Sequence, residues 1–290
     1  MGILLGLVTA LTWGGADFLA RFATHRIGTL RTMFYMQATG FVLLTICLPW
    51  LGGLGHLADG SGWQPLAWGF LAGCINAVSC LALYRSFEIG KMAVVAPLSA
   101  SYPVLTILLS VLTGERLTAV RGAGIAFTLL GVLVVAGGEK PADENAAEPA
   151  RRSGKGIGWA ICAALGFGLL FWLFGIRMVP RVGATQTVWM IRLTCTVLTG
   201  GVILLAKQPI HLPRGEVRPL ALSTGILDTS AFVVCAYGMR MEQVAVISVL
   251  SSLYGAVTVA LAAIFLREHV SRRQWAGIVT IFAGIYLISH

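Results

Sequence analysis

The chain has 290 residues, 57% of them hydrophobic and 11% charged, with a formal net charge of +9. Soluble domains are about 45–50% apolar and about 25% charged, so this composition excludes an ordinary soluble enzyme. The basic residues fall in short connections between apolar runs, which makes the charge a membrane-orientation signal and not a nucleic-acid footprint.

Taken in chain order, apolar runs of spanning length predict ten helices near 3–22, 33–51, 66–84, 92–112, 120–137, 157–176, 186–206, 219–238, 244–265 and 274–289. Lipid cannot satisfy backbone polar groups, so such runs are helices. The first run follows Met1 with no basic segment before it and reads as a span, not a cleavable signal. One long polar stretch, 138–155, is rich in Pro, Ala and charge and reads as a linker. It separates residues 1–137 from 156–290, with five spans on each side.

The two halves repeat. Tyr84 falls over Tyr237, Glu115 over Glu268, and Gly124 and Gly131 over Gly277 and Gly284, each at an offset of 153. Five is odd, so the second half crosses in the opposite sense. The fold class predicted is an all-α membrane protein of ten transmembrane helices in two inverted five-helix repeats, an arrangement typical of secondary transporters. Assigning the connections to alternate sides puts 15 Lys and Arg on one face and 5 on the other, with Arg192 inside a span. That bias places both termini outside.

The six cysteines all lie inside apolar runs without a CxxC and read as small buried hydrophobes. The five histidines (His25, His56, His211, His269 and His290) fall in connections or at the terminus. No metal site and no cofactor are expected. A membrane-embedded enzyme would need an HExxH, a GxSxG serine with His, or paired carboxylates at one depth. None is read here, since Asp17 and Asp228 are placed at different depths. A channel is disfavoured by the lack of a filter-like loop.

TWGGADF at 12–18, PLSASYPVLTILLSVLTGERLT at 97–118 and the second copy VLSSLYGAVTVALAAIFLREHV at 249–270 carry a resemblance over essentially the whole chain. The sequence resembles the EamA-type branch of the drug/metabolite transporter superfamily. The resemblance implies a multi-pass protein of a bacterial cytoplasmic (inner) membrane with a central cavity lined by spans one, three, four, six, eight and nine. It implies export of amino acids or other metabolites, or import of small organic solutes. Several relatives keep both termini in the cytoplasm, opposite to the charge count here.

Ionisable residues inside spans are costly and are the first functional candidates. Asp228 lies mid-span in the eighth run, and Arg192 lies in the seventh. Two readings stand: a structural Asp228–Arg192 salt bridge, or Asp228 facing the cavity as a proton or cation site. At the offset of 153, Asp228 falls over Ile75 and Arg192 over Thr39, so these charges belong to one half only. Asp17 and Arg21, four apart, are expected to form an interfacial ion pair. Glu115 and Glu268 are expected to brace the helices that follow them.

Trp13, Asn76, Tyr102 and Tyr254 fall near mid-span. With Asp228 they form the candidate substrate site, plain packing being the alternative for each. Aromatic rings can hold an amphiphilic solute, or a cation over the ring face. Pro97 and Pro103 predict a kink in the fourth span; the ninth has Gly255 but no proline, so any break is expected to be one-sided. The paired glycines of the fifth and tenth spans mark helix packing and a candidate homodimer contact.

The function expected is alternating-access transport of a small amphiphilic metabolite such as an amino acid, with proton or cation coupling through Asp228. The alternative is uptake of a small organic cation such as choline. The partners expected are the substrate and the lipid bilayer, with no nucleic acid.

Overall fold

The computed structural model describes residues 1–51, 62–90, 92–136, 156–210, 215–266 and 272–288. The linker 138–155 and Glu268 lie outside the described residues. The elements are helices: α1 (Gly2–Ile27), α2 (Thr29–Cys47), α3 (Gln64–Ile89), α4 (Met92–Ser99), α5 (Pro103–Leu112), α6 (Ala119–Ala136), α7 (Ile157–Leu173), α8 (Ala184–Leu205), α9 (Val217–Met241), α10 (Val244–Ser252), α11 (Tyr254–Leu266) and α12 (Arg272–Ile288). Among the described residues six helices are long and apolar enough to cross a membrane: Gly2–Ile27, Thr29–Trp50, Gln64–Ile89, Ile157–Val182, Ala184–Leu205 and Val217–Met241.

Two connections are a single glycine. Gly28 joins α1 to α2 at φ 81°, and Gly183 precedes α8 at φ 97°. Both have ψ near 160°, a region that is essentially glycine-only. Beyond Leu173, α7 widens into a π turn, Phe174–Met178, and closes with Val179–Val182. Pro180 has no N–H to give Ile176, and a π turn takes up the misfit.

The fourth and ninth apolar runs are both broken. α4 stops at Ser99 and α5 starts at Pro103; α10 stops at Ser252 and α11 starts at Tyr254. The expectation of a one-sided break is therefore corrected. In the ninth run Leu253 N–H donates to the Leu250 carbonyl in the tighter i−3 pattern, while the Ser251 and Ser252 hydroxyls donate to helix carbonyls. Gly255 replaces proline for a packing reason: a methyl there would lie 3.0 Å from Ala100 Cβ.

α1 and α9 are antiparallel neighbours. Arg26, at the end of α1, pairs with Glu216 at the start of α9 (3.4 Å), and a methyl on Gly2 would lie 2.7 Å from Glu242 Cβ. α6 packs on α12 through glycine. A methyl on Gly124 would lie 2.8 Å from the Gly284 carbonyl oxygen, and one on Gly131 would lie 2.7 Å from that of Gly277. Small residues let backbones approach where lipid supplies no hydrophobic drive. These glycines are thus spent inside one chain and are not free for a homodimer contact.

Glu115 also departs from expectation. Its Oε2 accepts the Ala245 N–H (3.2 Å), capping α10 of the other half and not α6. Beside it Arg121 donates to Glu242 (2.8 Å) and Gln243 (3.0 Å). Acceptors near a helix N-terminus satisfy its free N–H groups.

Candidate functional site

A small, mostly apolar cavity lies where α1, α3, α7, α9 and the two broken runs meet. Trp13, Tyr102, Phe171, Phe232 and Tyr254 form an aromatic wall. Trp13 meets Phe232 edge-on at 5.0 Å between centroids and Phe171 at 5.5 Å. Tyr102 and Tyr254 stack at 6.5 Å, 15° from parallel. T-shaped and offset arrangements like these follow from the ring quadrupole.

The two tyrosines are fixed by crossed hydrogen bonds between the breaks. The Tyr102 hydroxyl pairs with Ser251 Oγ (2.8 Å) and donates to the Ser248 carbonyl (3.1 Å). The Tyr254 hydroxyl pairs with Ser99 Oγ (3.3 Å). Each tyrosine thus holds the serine of the other run.

Asp17 and Asp228 both line the cavity. α1 runs to Ile27, five residues beyond the predicted end, so Asp17 lies deep in the helix. From the shared face of α1 and α9 it is ten residues in and Asp228 is eleven, about 15 and about 16 Å at 1.5 Å per residue. The two acids are at one depth. That corrects the expectation of different depths. The expected Asp17–Arg21 pair does not form; among the described residues Asp17 has no ion-pair or hydrogen-bond partner and is 5% exposed.

Asp228 is bound by Arg192, which is fully buried behind the cavity wall. Arg192 also donates to Gln37 Oε1 (2.7 Å) and Met36 Sδ (3.3 Å), and its guanidinium carbon sits 4.8 Å from the Phe232 ring centroid. Asp228 is thus both salt-bridged and a lining residue of the cavity. Arg192 does not line the cavity. Nor does Asn76, whose amide donates to Cys195 Sγ (3.2 Å) and accepts from Cys80 Sγ (3.6 Å) between α3 and α8.

Equivalent contacts give the true register of the halves. A methyl on Gly225 would meet Thr39, and one on Gly73 would meet Thr194. The offset is therefore 152 for α3 and α9 and 155 for α2 and α8. Asp228 falls over Asn76 and Arg192 over Gln37, not over Ile75 and Thr39. Likewise a methyl on Gly14 would lie 3.2 Å from the Tyr254 carbonyl oxygen and one on Gly168 2.9 Å from that of Tyr102, an offset of 154. Asp17 then falls over Phe171.

Sequence reasoning missed Tyr84, Phe171 and Phe232. The only signal for Tyr84 was its pairing with Tyr237; the two phenylalanines sit in apolar runs where nothing marks one face as a cavity wall. The hydroxyl of Tyr84 and the indole N–H of Trp13 have no partner among the described residues and are available to a ligand.

The comparisons with known proteins agree with this architecture. An uncharacterized protein, MJ1333.1 of Methanocaldococcus jannaschii, is 25% identical over 134 residues, 46% of this chain and 94% of that one. A solved crystal structure superposes with a TM-score of 0.77 at 19% identity, covering 99% of this chain and 95% of the other, which speaks for the fold alone. The family model described as the EamA-like transporter family matches twice, over residues 1–137 and 154–290. Those two matches take in every residue that lines the cavity, and the chain belongs to the EamA-like transporter family.

Proposed function

We propose that this membrane transporter carries a small amphiphilic amine by alternating access, exporting it from a bacterial cytoplasm. Its residues 1–137 and 156–290 would form two inverted halves of five crossings each, the broken runs counting as one crossing apiece. The midplane cavity would open to either side as the halves rock. The observation that carries the substrate class is the lining: two carboxylates against an aromatic wall, with no Lys, Arg or His among the cavity residues. An ammonium group is attracted both by the carboxylates and by ring faces, the latter worth about 0.5–2 kcal/mol. Arg192 is occupied by Asp228 and Gln37, which removes the cation a zwitterion would need.

A second reading rests on the Trp13 N–H and Tyr84 hydroxyl, which have no hydrogen-bond partner among the described residues and can donate to a substrate carboxylate. It keeps amino acids as candidates. A thermal-shift screen of the purified protein separates the two, because a ligand that binds only the folded state stabilises it. Stabilisation by quaternary and primary amines, without an added effect of a carboxylate group, is expected. Stabilisation by amino acids but not by the corresponding amines overturns the amine reading in favour of the second.

A further inference from the structure

The charges around the cavity do not cancel. Arg192 binds Asp228, and a guanidinium stays protonated in proteins, so that pair is neutral. Asp17 lines the same cavity, is 5% exposed and has no partner among the described residues. The titratable groups that line the cavity with it are Asp228 of α9, Cys80 and Tyr84 of α3, Tyr102 between α4 and α5, and Tyr254 of α11. α10 has no titratable residue, and Arg31, Tyr35 and Cys47 of α2 are not among the cavity residues. None of the lining groups is a cation. A carboxylate held in apolar surroundings without a counter-charge is costly, so the site demands one positive charge.

We infer that Asp17 is the single uncompensated charge of the cavity and that a proton and the substrate ammonium occupy it in turn. The exchange balances. As the ammonium arrives, the Asp17 carboxylic acid gives up its proton, leaving a carboxylate–ammonium pair and one released proton. One site takes one positive charge. The substrate is therefore a monovalent cation, and one proton moves against each molecule with no net transfer of charge. This assigns coupling to Asp17 and leaves Asp228 as a fixed, neutralised wall. It rests on the amine reading of the cavity.

The test uses the purified full chain and benzyltrimethylammonium, a permanent cation with no proton of its own. Calorimetry in two buffers of different ionisation enthalpy counts protons released on binding. The wild type is expected to release one proton per probe, with affinity rising about tenfold per pH unit where Asp17 titrates. Asp17→Asn is expected to abolish the release and the pH dependence, and Asp17→Glu to restore both. If Asp17→Asn does not fold, difference infrared spectra of the wild type serve instead: the probe is expected to remove a carboxylic C=O band. Binding without proton release, no probe-induced loss of that band, or release that survives Asp17→Asn overturns the inference and leaves the amine reading standing. Failure of the wild type to bind any of a series of quaternary amines overturns both.

Discussion

The two junctions between the halves are built on opposite plans. At the broken runs the halves match: Ser99 and Tyr102 correspond to Ser251 and Tyr254 at an offset of 152, and each tyrosine reaches the other half's serine. At the junction of α2 and α3 with α8 and α9 the backbone contacts correspond but the chemistry does not. Gln37 and Asn76 of the first half stand where the second half has Arg192 and Asp228, and Arg192 donates to Gln37 across the junction. A shared scaffold keeps its geometry where two breaks must fit each other. It can change charge where side chains only have to satisfy one another.

The largest expected effect comes from breaking the charged junction. Arg192→Leu leaves Asp228 without its partner and is expected to cost about 3–5 kcal/mol, the range for an orphaned buried charge. Denaturation monitored in micelles reads it. Giving the second half the first half's chemistry, Arg192→Gln with Asp228→Asn, is expected to recover most of that loss. A double variant no more stable than either single one would show that the charges are required by the fold itself.

Next is the α6–α12 contact, which is backbone against backbone. Gly131→Leu is expected to destabilise the protein by about 1–3 kcal/mol through overpacking, because a carbonyl oxygen cannot step aside. A melting temperature equal to wild type would mean that this pair separates readily. Trp13→Ala is expected to weaken benzyltrimethylammonium binding about tenfold while lowering the melting temperature only modestly. Unchanged affinity with a large drop in melting temperature would make Trp13 a packing residue.

The smallest effects sharpen the symmetric junction. Tyr102→Phe loses a hydroxyl with two partners and Tyr254→Phe one with a single longer contact. Both are expected to cost about 0.5–1.5 kcal/mol, Tyr102→Phe the more. Equal costs would mean that the second contact, to the Ser248 carbonyl, adds nothing.

Most of the fold was legible because lipid leaves helices as the one solution for long apolar runs. The depth of Asp17 was not. The residues 23–27 that complete α1 include His25 and Arg26, and a reading by hydropathy ends the span before them. The same misplacement suggested the Asp17–Arg21 pair. The serine–tyrosine crossing was hidden by one assumed offset. At 153 Tyr102 falls over Gly255, and only contacts in space reveal 152. The cavity's phenylalanines were invisible for a plainer reason: in a chain this apolar, composition does not distinguish a ring facing lipid from one facing a binding site.

The π turn at Phe174–Met178 has a bearing on how such a chain can change length. Before it, Gly14 and Gly168 set an offset of 154; after it, Gly28 and Gly183 set 155. The second half thus carries one more residue than the first, and it lies within the stretch that holds the wide turn. In a regular α-helix an extra residue would rotate everything downstream by about 100°, turning cavity faces toward lipid. A π turn absorbs the addition and passes the original register on to α8. The same reasoning marks this stretch as a place where a single-residue deletion, Ile176 for example, should be tolerated with the downstream faces still in place, whereas a deletion in α3 or α9 should not be.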